Sequence, residues 1–232
     1  MNIVDKTADE QILVANEIDK CVEKSKVKAY DFVKRFIDII TGVIGCLILL
    51  PLILVVKIIN VANKDYGTVF YIQKRIGKNG KEFRLYKFRT MVKNADRKLR
   101  KILKENEELR EEYETNKKMK NDPRITKAGR FLRKTSLDEF PQFINVLRGE
   151  MSLVGNRPYL IREKKHMGNY YKYIVKTKPG ITGLWQTSGR SNISFRERLR
   201  IEKGYSENYS LRLDFKILLE TFKEVVKGNG AI

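Results

Sequence analysis

Three features of this 232-residue sequence predict a mainly helical α+β fold. An uncharged run from Ile39 to Val56 is interrupted by Pro51, two β-type stretches flank Gly77-Lys-Asn-Gly80, and helical periodicity marks the N-terminal, central and C-terminal segments. The expected architecture is an N-terminal membrane helix, a small hairpin and a helical domain carrying amphipathic helices that suit a membrane surface.

The run from Ile39 to Val56 covers eighteen positions. That is the lower limit for crossing a hydrocarbon core about 30 Å thick. Pro51 removes a backbone donor and breaks or kinks a helix. The twelve residues before it reach about 18 Å at about 1.5 Å per residue, so neither half crosses alone. Lys24, Lys26, Lys28, Lys34 and Arg35 precede the run, and Lys57, Lys64, Lys74, Arg75 and Lys78 follow it. Basic flanks mark the cytoplasmic side, and here both flanks claim it. A re-entrant helix broken at Pro51 satisfies both; a straight span with a tolerated proline satisfies one. The expected division is an amphipathic extension at 1–30, a re-entrant membrane helix at 31–62 and a cytosolic domain at 63–232.

Residues 1–30 read as an accessory helix with a stripe of Val14, Ile18, Cys21 and Val22 behind a Thr7/Glu10 capping box. Val69-Phe-Tyr-Ile72 and Phe83-Arg-Leu-Tyr86 form the hairpin, and the Asn79-Gly80 step suits its turn. Residues 93–120 read as one long charged helix whose middle, Glu105 to Glu114, holds six glutamates. An amphipathic helix is expected near Leu213–Val226, followed by Gly228-Asn-Gly230.

Lys and Arg number 48 against 28 Asp and Glu, a net charge of +20. That excess implies an anionic partner: nucleic acid, a phosphate-rich substrate or the inner leaflet of a membrane. Thirteen basic and two acidic residues between Lys74 and Lys104 place much of it directly after the apolar run. Cys21 and Cys46 have no metal-type spacing, and His166 is the sole histidine, so neither a metal cluster nor a His-activated nucleophile is expected.

The chemistry-bearing stretch runs from Asp122 to Gln142. The adjacent carboxylates Asp138 and Glu139 follow Arg124, Lys127, Arg130, Arg133 and Lys134. A carboxylate can attack phosphorus while arginines hold the phosphate oxygens, and a divalent ion offsets the repulsion between them. Ser136-Leu-Asp-Glu139 is equally a capping box in which Glu139 bonds a helix start. Met151-Ser-Leu-Val-Gly-Asn-Arg-Pro158 places Arg157 in a turn suited to bidentate phosphate binding, unless it is an ordinary surface arginine. Lys178-Pro-Gly-Ile-Thr-Gly-Leu-Trp-Gln-Thr-Ser-Gly-Arg-Ser191 offers Gln186, Ser188 and Arg190, glycines that admit a ligand, and Trp185 as either core or site.

Together the motifs resemble the bacterial sugar transferases, the monotopic polyprenyl-phosphate phosphoglycosyl transferases. The resemblance spans 31–232 and is carried by Lys34-Arg35-x-x-Asp38, Pro51, Val69-Phe-Tyr-x-Gln73 and Tyr86-Lys-Phe-Arg-Thr-Met91. It continues through Asp122-Pro-Arg-Ile-Thr126, Ser136-Leu-Asp-Glu139, Met151-Ser-Leu-Val-Gly155, Lys178-Pro-Gly-Ile-Thr-Gly183 and Ser188-Gly-Arg190. It implies transfer of hexose-1-phosphate from a UDP-hexose to undecaprenyl phosphate, with release of UMP, at the cytoplasmic face of the inner membrane. Asp138 would be the nucleophile and the Mg²⁺ ligand, with Glu139 assisting. Arg133, Arg157, Lys87, Arg89, Gln186, Arg190 and Asp214 would bind substrate. Asn156 stands where proline is usual, and Glu202 where aspartate is common. The alternatives are the same chemistry on an N-acetylated amino sugar, a basic nucleic-acid binder, and a non-catalytic membrane scaffold. The nucleic-acid reading leaves the apolar run and the acid pair unexplained, so no nucleic-acid partner is expected; homo-oligomers are compatible with the sequence.

Overall fold

In this computed structural model the backbone is described for residues 3–116, 119, 121–188 and 193–226, and side chains within 28–114, 119, 121–188 and 193–224. The stripe at Val14–Val22, as side chains, and Gly228–Gly230 lie outside that description.

Helix α1 (Ile3–Ala62) is 60 residues long. It runs across the boundary expected at residue 30 without a break, because no glycine or proline occurs between Ile3 and Thr41 to stop it. Thr7 therefore lies inside the helix rather than at its cap. Helical backbone also continues through Pro51, which removes one N–H from the ladder without ending the helix. Between Lys28 and Ala62 the helix is long and apolar enough to cross a membrane. Leu47, Leu50 and Leu54 are exposed by 60–65%, unlike residues of a soluble core helix.

One face of α1 does dock. Arg35 donates to the carbonyls of Val146 and Leu147, both at 2.7 Å, satisfying acceptors that a helix end leaves open. Those acceptors close α5 (Gln142–Leu147). Farther along, Leu49 and Val56 are buried with Phe88 and Leu132. Gly45 admits the close approach of α5: a Cβ there would meet the Phe143 ring at 2.2 Å.

Strands β1 (Phe70–Ile76) and β2 (Glu82–Phe88) form the expected antiparallel hairpin, registered from Phe70 opposite Phe88 to Ile76 opposite Glu82. Asn79 and Gly80 take φ of +59° and +77°, the left-handed pair that a tight hairpin turn requires. Phe83 and Leu85 face inward onto Val146 and Met151.

The long charged helix expected at 93–120 is two helices, α2 (Ala95–Glu105) and α3 (Glu107–Asn116). Asn106 between them is extended, at φ −132° and ψ 112°. Its N–H closes α2 on the Ile102 carbonyl, while its side-chain oxygen accepts from Leu109 N at 2.9 Å and caps α3. Asparagine competes with helical bonding in this way.

Next come α4 (Lys127–Lys134), capped by Thr126 Oγ1 accepting from Gly129 N, and a single 3₁₀ turn at Leu137–Glu139 leading into α5. Strand β3 (Ser152–Val154), two 3₁₀ turns, α6 (Tyr171–Ile174), β4 (Gly180–Thr182), α7 (Leu184–Thr187), α8 (Phe195–Asn208) and α9 (Leu211–Val226) complete the chain. β3 and β4 pair in parallel. The glycines of the two motifs serve this pairing rather than a ligand: a Cβ on Gly155 would meet Lys178 O at 2.3 Å, and one on Gly180 would meet Gly155 N at 2.1 Å. On α9, Ile217 is buried with Val154 and Tyr205, whereas Phe215, Leu219 and Phe222 face outward.

Candidate active site

The acid pair stands on a strained turn. Ser136 adopts φ +57°, a left-handed conformation that costs free energy for a residue with a Cβ, and its side chain caps nothing. The capping box read from Ser136 and Glu139 is thus not formed. The Glu139 carboxylate turns instead to β2, where Lys87 Nζ donates to Oε1 at 2.6 Å. Burial would push the Glu139 carboxyl up, but Lys87, Arg157 and the Gln142 amide outweigh it and hold it below its ordinary range.

Asp138 is half-buried on the same turn. Burial pushes its carboxyl up, Lys87 and Arg133 pull it down, and Glu139 adds to the rise; the net direction is upward. Neighbouring carboxylates of opposite displacement are the pattern of an acid pair with divided roles.

Both carboxylates open into a cleft of about 1280 Å³ lined by β1, β2, the start of α2, α4, α7 and α9. The cleft gathers Lys87, Arg89, Arg133, Arg157 and Gln186 with Asp138 and Glu139. Arg133 Nε bonds Thr90 Oγ1 at 3.0 Å, which orients its guanidinium. Arg89 is largely committed to the wall, donating to Thr68 O, Met91 O and Asp65 Oδ1 at 2.6–3.0 Å. Gln186 Nε2 donates to Ile181 O. Arg190 lies outside the described residues.

Asp214 is placed elsewhere. It accepts from Tyr30 and Tyr205 at 2.9 and 2.8 Å and from Lys34, fastening α9 to α1 away from the cleft. Arg124 likewise pairs with Asp122 through bonds of 2.6–3.1 Å, both side chains buried, and so braces its own turn.

A second cationic group emerges that the linear motifs conceal. Arg75 and Arg157 both line the cleft, and Arg198 stands behind them. The Nε atoms of all three are buried with no hydrogen-bond partner among the described residues. Burial and the neighbouring Arg157 push the Arg75 guanidinium down to about 10. Trp185 answers the open question of its role by serving both: it is buried, and Arg157 and Arg198 stack on its ring at 5.2 and 4.5 Å. Strand alternation was the available signal, because Tyr71, Gln73 and Arg75 share the face of β1 that lines the cleft.

Glu202 supports this group from beneath. It is fully buried and accepts the Arg157 backbone N–H at 2.8 Å. Burial pushes its carboxyl up to about 7, against the pull of that bond and of Arg157 and Arg198. Asn156, in the position where proline was expected, donates to Ser206 Oγ at 2.6 Å and is buried too. Both departures from the family pattern therefore fix the turn that presents Arg157.

An acid pair on a strained turn, faced by arginines with open donors, has the chemistry to receive a phosphate-rich ligand. Residues 29–228 match the family model described as bacterial sugar transferase. The chain is 46% identical over 198 residues to an uncharacterized sugar transferase of Haemophilus influenzae, covering 85% of this chain and 42% of that one. It is 42% identical over 200 residues to the undecaprenyl-phosphate galactose phosphotransferase of Salmonella typhimurium, covering 86% and 42%. It is 40% identical over 198 residues to the exopolysaccharide production protein ExoY of Sinorhizobium fredii, covering 85% and 87%. The chain thus spans less than half the length of the first two relatives and most of the third. With that match over most of its length and the acid-pair cleft at its centre, the chain belongs to the bacterial sugar transferase family.

Proposed function

We propose that the protein is a phosphoglycosyl transferase that moves hexose-1-phosphate from a UDP-hexose to undecaprenyl phosphate at the cytoplasmic face of the cell membrane, an initiating step of surface polysaccharide assembly. The observation that carries this reading is Asp138, half-buried beside Lys87 and Arg133 in a cleft that also presents Arg75 and Arg157. An Asp138 oxygen attacks the β-phosphorus, the bond from that phosphorus to the bridging oxygen breaks, and UMP leaves. An oxygen of undecaprenyl phosphate then attacks the same phosphorus, freeing the Asp138 carboxylate and forming undecaprenyl diphosphate-hexose. Lys87, Arg133 and Arg157 steady the charge that moves between these oxygens.

Asp138 and Glu139 have no third Asp, Glu, His or Cys grouped with them among the described residues. Such a donor set fits Mg²⁺, which takes one or two carboxylates and completes its shell with phosphate oxygens and water. Asp138 would hold it, and its charge would offset that of the diphosphate.

A re-entrant posture for α1 is supported by where the apolar run is tied down. Asp38, before it, accepts from Ser152 Oγ and Leu153 N at 2.9 and 2.8 Å. Asp65, after it, pairs with Arg89 at 2.9 Å. A spanning helix would need this one domain on both sides of the bilayer. The outward Phe215, Leu219 and Phe222 of α9 suit the same membrane surface.

For the sugar, Trp185 at the cleft wall favours a plain hexose over one with a bulky C2 acetamido group. The name of the Salmonella relative points the same way. A panel of UDP-sugars with undecaprenyl phosphate in detergent, scored by UMP release with and without EDTA, tests donor and metal together. UDP-galactose or UDP-glucose should exceed UDP-N-acetylglucosamine by roughly 10–200-fold. Faster turnover of the acetamido sugar, or full activity in EDTA, overturns the corresponding assignment.

A further inference from the structure

A second, smaller pocket of about 130 Å³ lies where α1 meets the segment before β4, and it shares no lining residue with the cleft. Its walls carry Lys34, Arg35, Lys78, Lys176 and Lys178 against Asp31 and Asp38. Most of these charges are already engaged. Lys34 pairs with Asp214, Arg35 gives one N–H from each terminal nitrogen to the Val146 and Leu147 carbonyls, Lys78 stands 4.0 Å from Asp31, Asp38 is taken by Ser152 and Leu153, and Lys176 lies over the Tyr209 ring.

Lys178 is the exception. Its ammonium is half-buried and has no hydrogen bond or ion pair among the described residues. Burial, then the neighbouring Arg35, push its amine below the ordinary lysine value. Gly149, at φ +74°, marks where the two cations converge: a Cβ there would lie 3.6 Å from both Arg35 Cζ and Lys178 Nζ. Asp38 and Asp31 draw on Lys178 without forming an ion pair with it, and Arg35 is bonded only to neutral carbonyls, so an anion joining the two cations would offset their repulsion. Room for roughly four waters, at about 30 Å³ each, admits a phosphate group.

The pocket's place along α1 indicates where such a group would come from. Lys34, Arg35 and Asp38 stand in the turns just before Ile39, where the uncharged run begins, and Phe32 and Phe36 of the same turns are 75% and 60% exposed. Charged pocket and bare apolar surface meet here at one level of the helix.

We propose that this pocket is a second anion site, separate from the cleft, in which Lys178 and Arg35 bind the phosphate headgroup of an anionic membrane lipid. The phosphate site stands independently of the reading given for the cleft; the lipid source rests on α1 lying in the membrane.

Native mass spectrometry of the full chain in neutral detergent, with dihexanoyl phosphatidic acid or inorganic phosphate added, tests it. Wild type should retain one phosphatidic acid saturably. Lys178→Gln, which breaks no hydrogen bond or ion pair among the described residues, should weaken that binding at least tenfold with an unchanged melting temperature, and Lys178→Arg should restore it. Lys87→Gln, in the cleft, should bind the lipid as wild type does. Unaltered binding by Lys178→Gln overturns the site, as does equal weakening by Lys87→Gln, which would place the lipid in the cleft. If inorganic phosphate competes with phosphatidic acid on equal terms, the phosphate site holds and the lipid assignment falls.

Discussion

Lys87 Nζ and Glu139 Oε1 lie 2.6 Å apart, joining strand β2 to the turn that carries the acid pair. The bond keeps Glu139 charged although much of its surface is buried, and it places a cation beside Asp138 as well. Replacing Lys87 with Met should therefore lower kcat/KM by about 10²–10³, the usual effect of losing one well-placed charged donor. UMP release reports this directly; a variant with half of the wild-type activity would remove Lys87 from the machinery.

Asp138→Asn should abolish turnover, and wild-type protein given UDP-hexose alone should gain the mass of one hexose phosphate at Asp138. Because the Asp138 carboxyl is displaced upward, its ionised form is lost as pH falls through a value above the ordinary aspartate range. The acidic limb of the kcat/KM profile should sit correspondingly high. An adduct mapped to another residue contradicts the assignment.

Glu202 makes stability depend on pH. Its folded-state value is raised from 4.5 to about 7, so the folded protein binds the proton more tightly and stability falls as pH rises through that window. The full loss is about 3 kcal/mol, from about 1.36 kcal/mol per unit. Glu202→Gln keeps an oxygen for the Arg157 N–H and should raise the melting temperature at pH 8 while changing little at pH 4.5. An equal shift at both pH values would mean that Glu202 is not protonated in the fold.

Topology is testable with thiols. In spheroplasts an impermeant thiol reagent should fail to reach Cys21 or a cysteine placed by Asn63→Cys. Labelling of either from outside means that α1 spans.

Local chemistry makes several elements legible in the sequence. Asn79-Gly80 announced the hairpin because few other pairs accept two positive φ angles, and the spacing of Phe215, Leu219 and Phe222 announced α9. Other features depended on partners far along the chain. Ser136 and Glu139 form a capping pattern as letters, but Lys87, 52 residues away, takes the carboxylate. Asp214 carries a charge that suits a site, yet Lys34 and Tyr30, at least 180 residues away, fix it in a brace. Asn106 carries a local signal for the break between α2 and α3: an asparagine followed by Glu107 and Glu108 marks a helix start.

The contacts that seat the base of α1 also impose an order on biogenesis. Arg35 and Asp38 meet Val146, Leu147, Ser152 and Leu153, which lie 111–115 residues later in the chain. During synthesis the apolar run therefore leaves the ribosome well before the groups that seat its base exist. Its final posture is decided when the later residues fold back onto it, so a chain truncated ahead of Val146 should insert by hydrophobicity alone, without the contacts that seat its base.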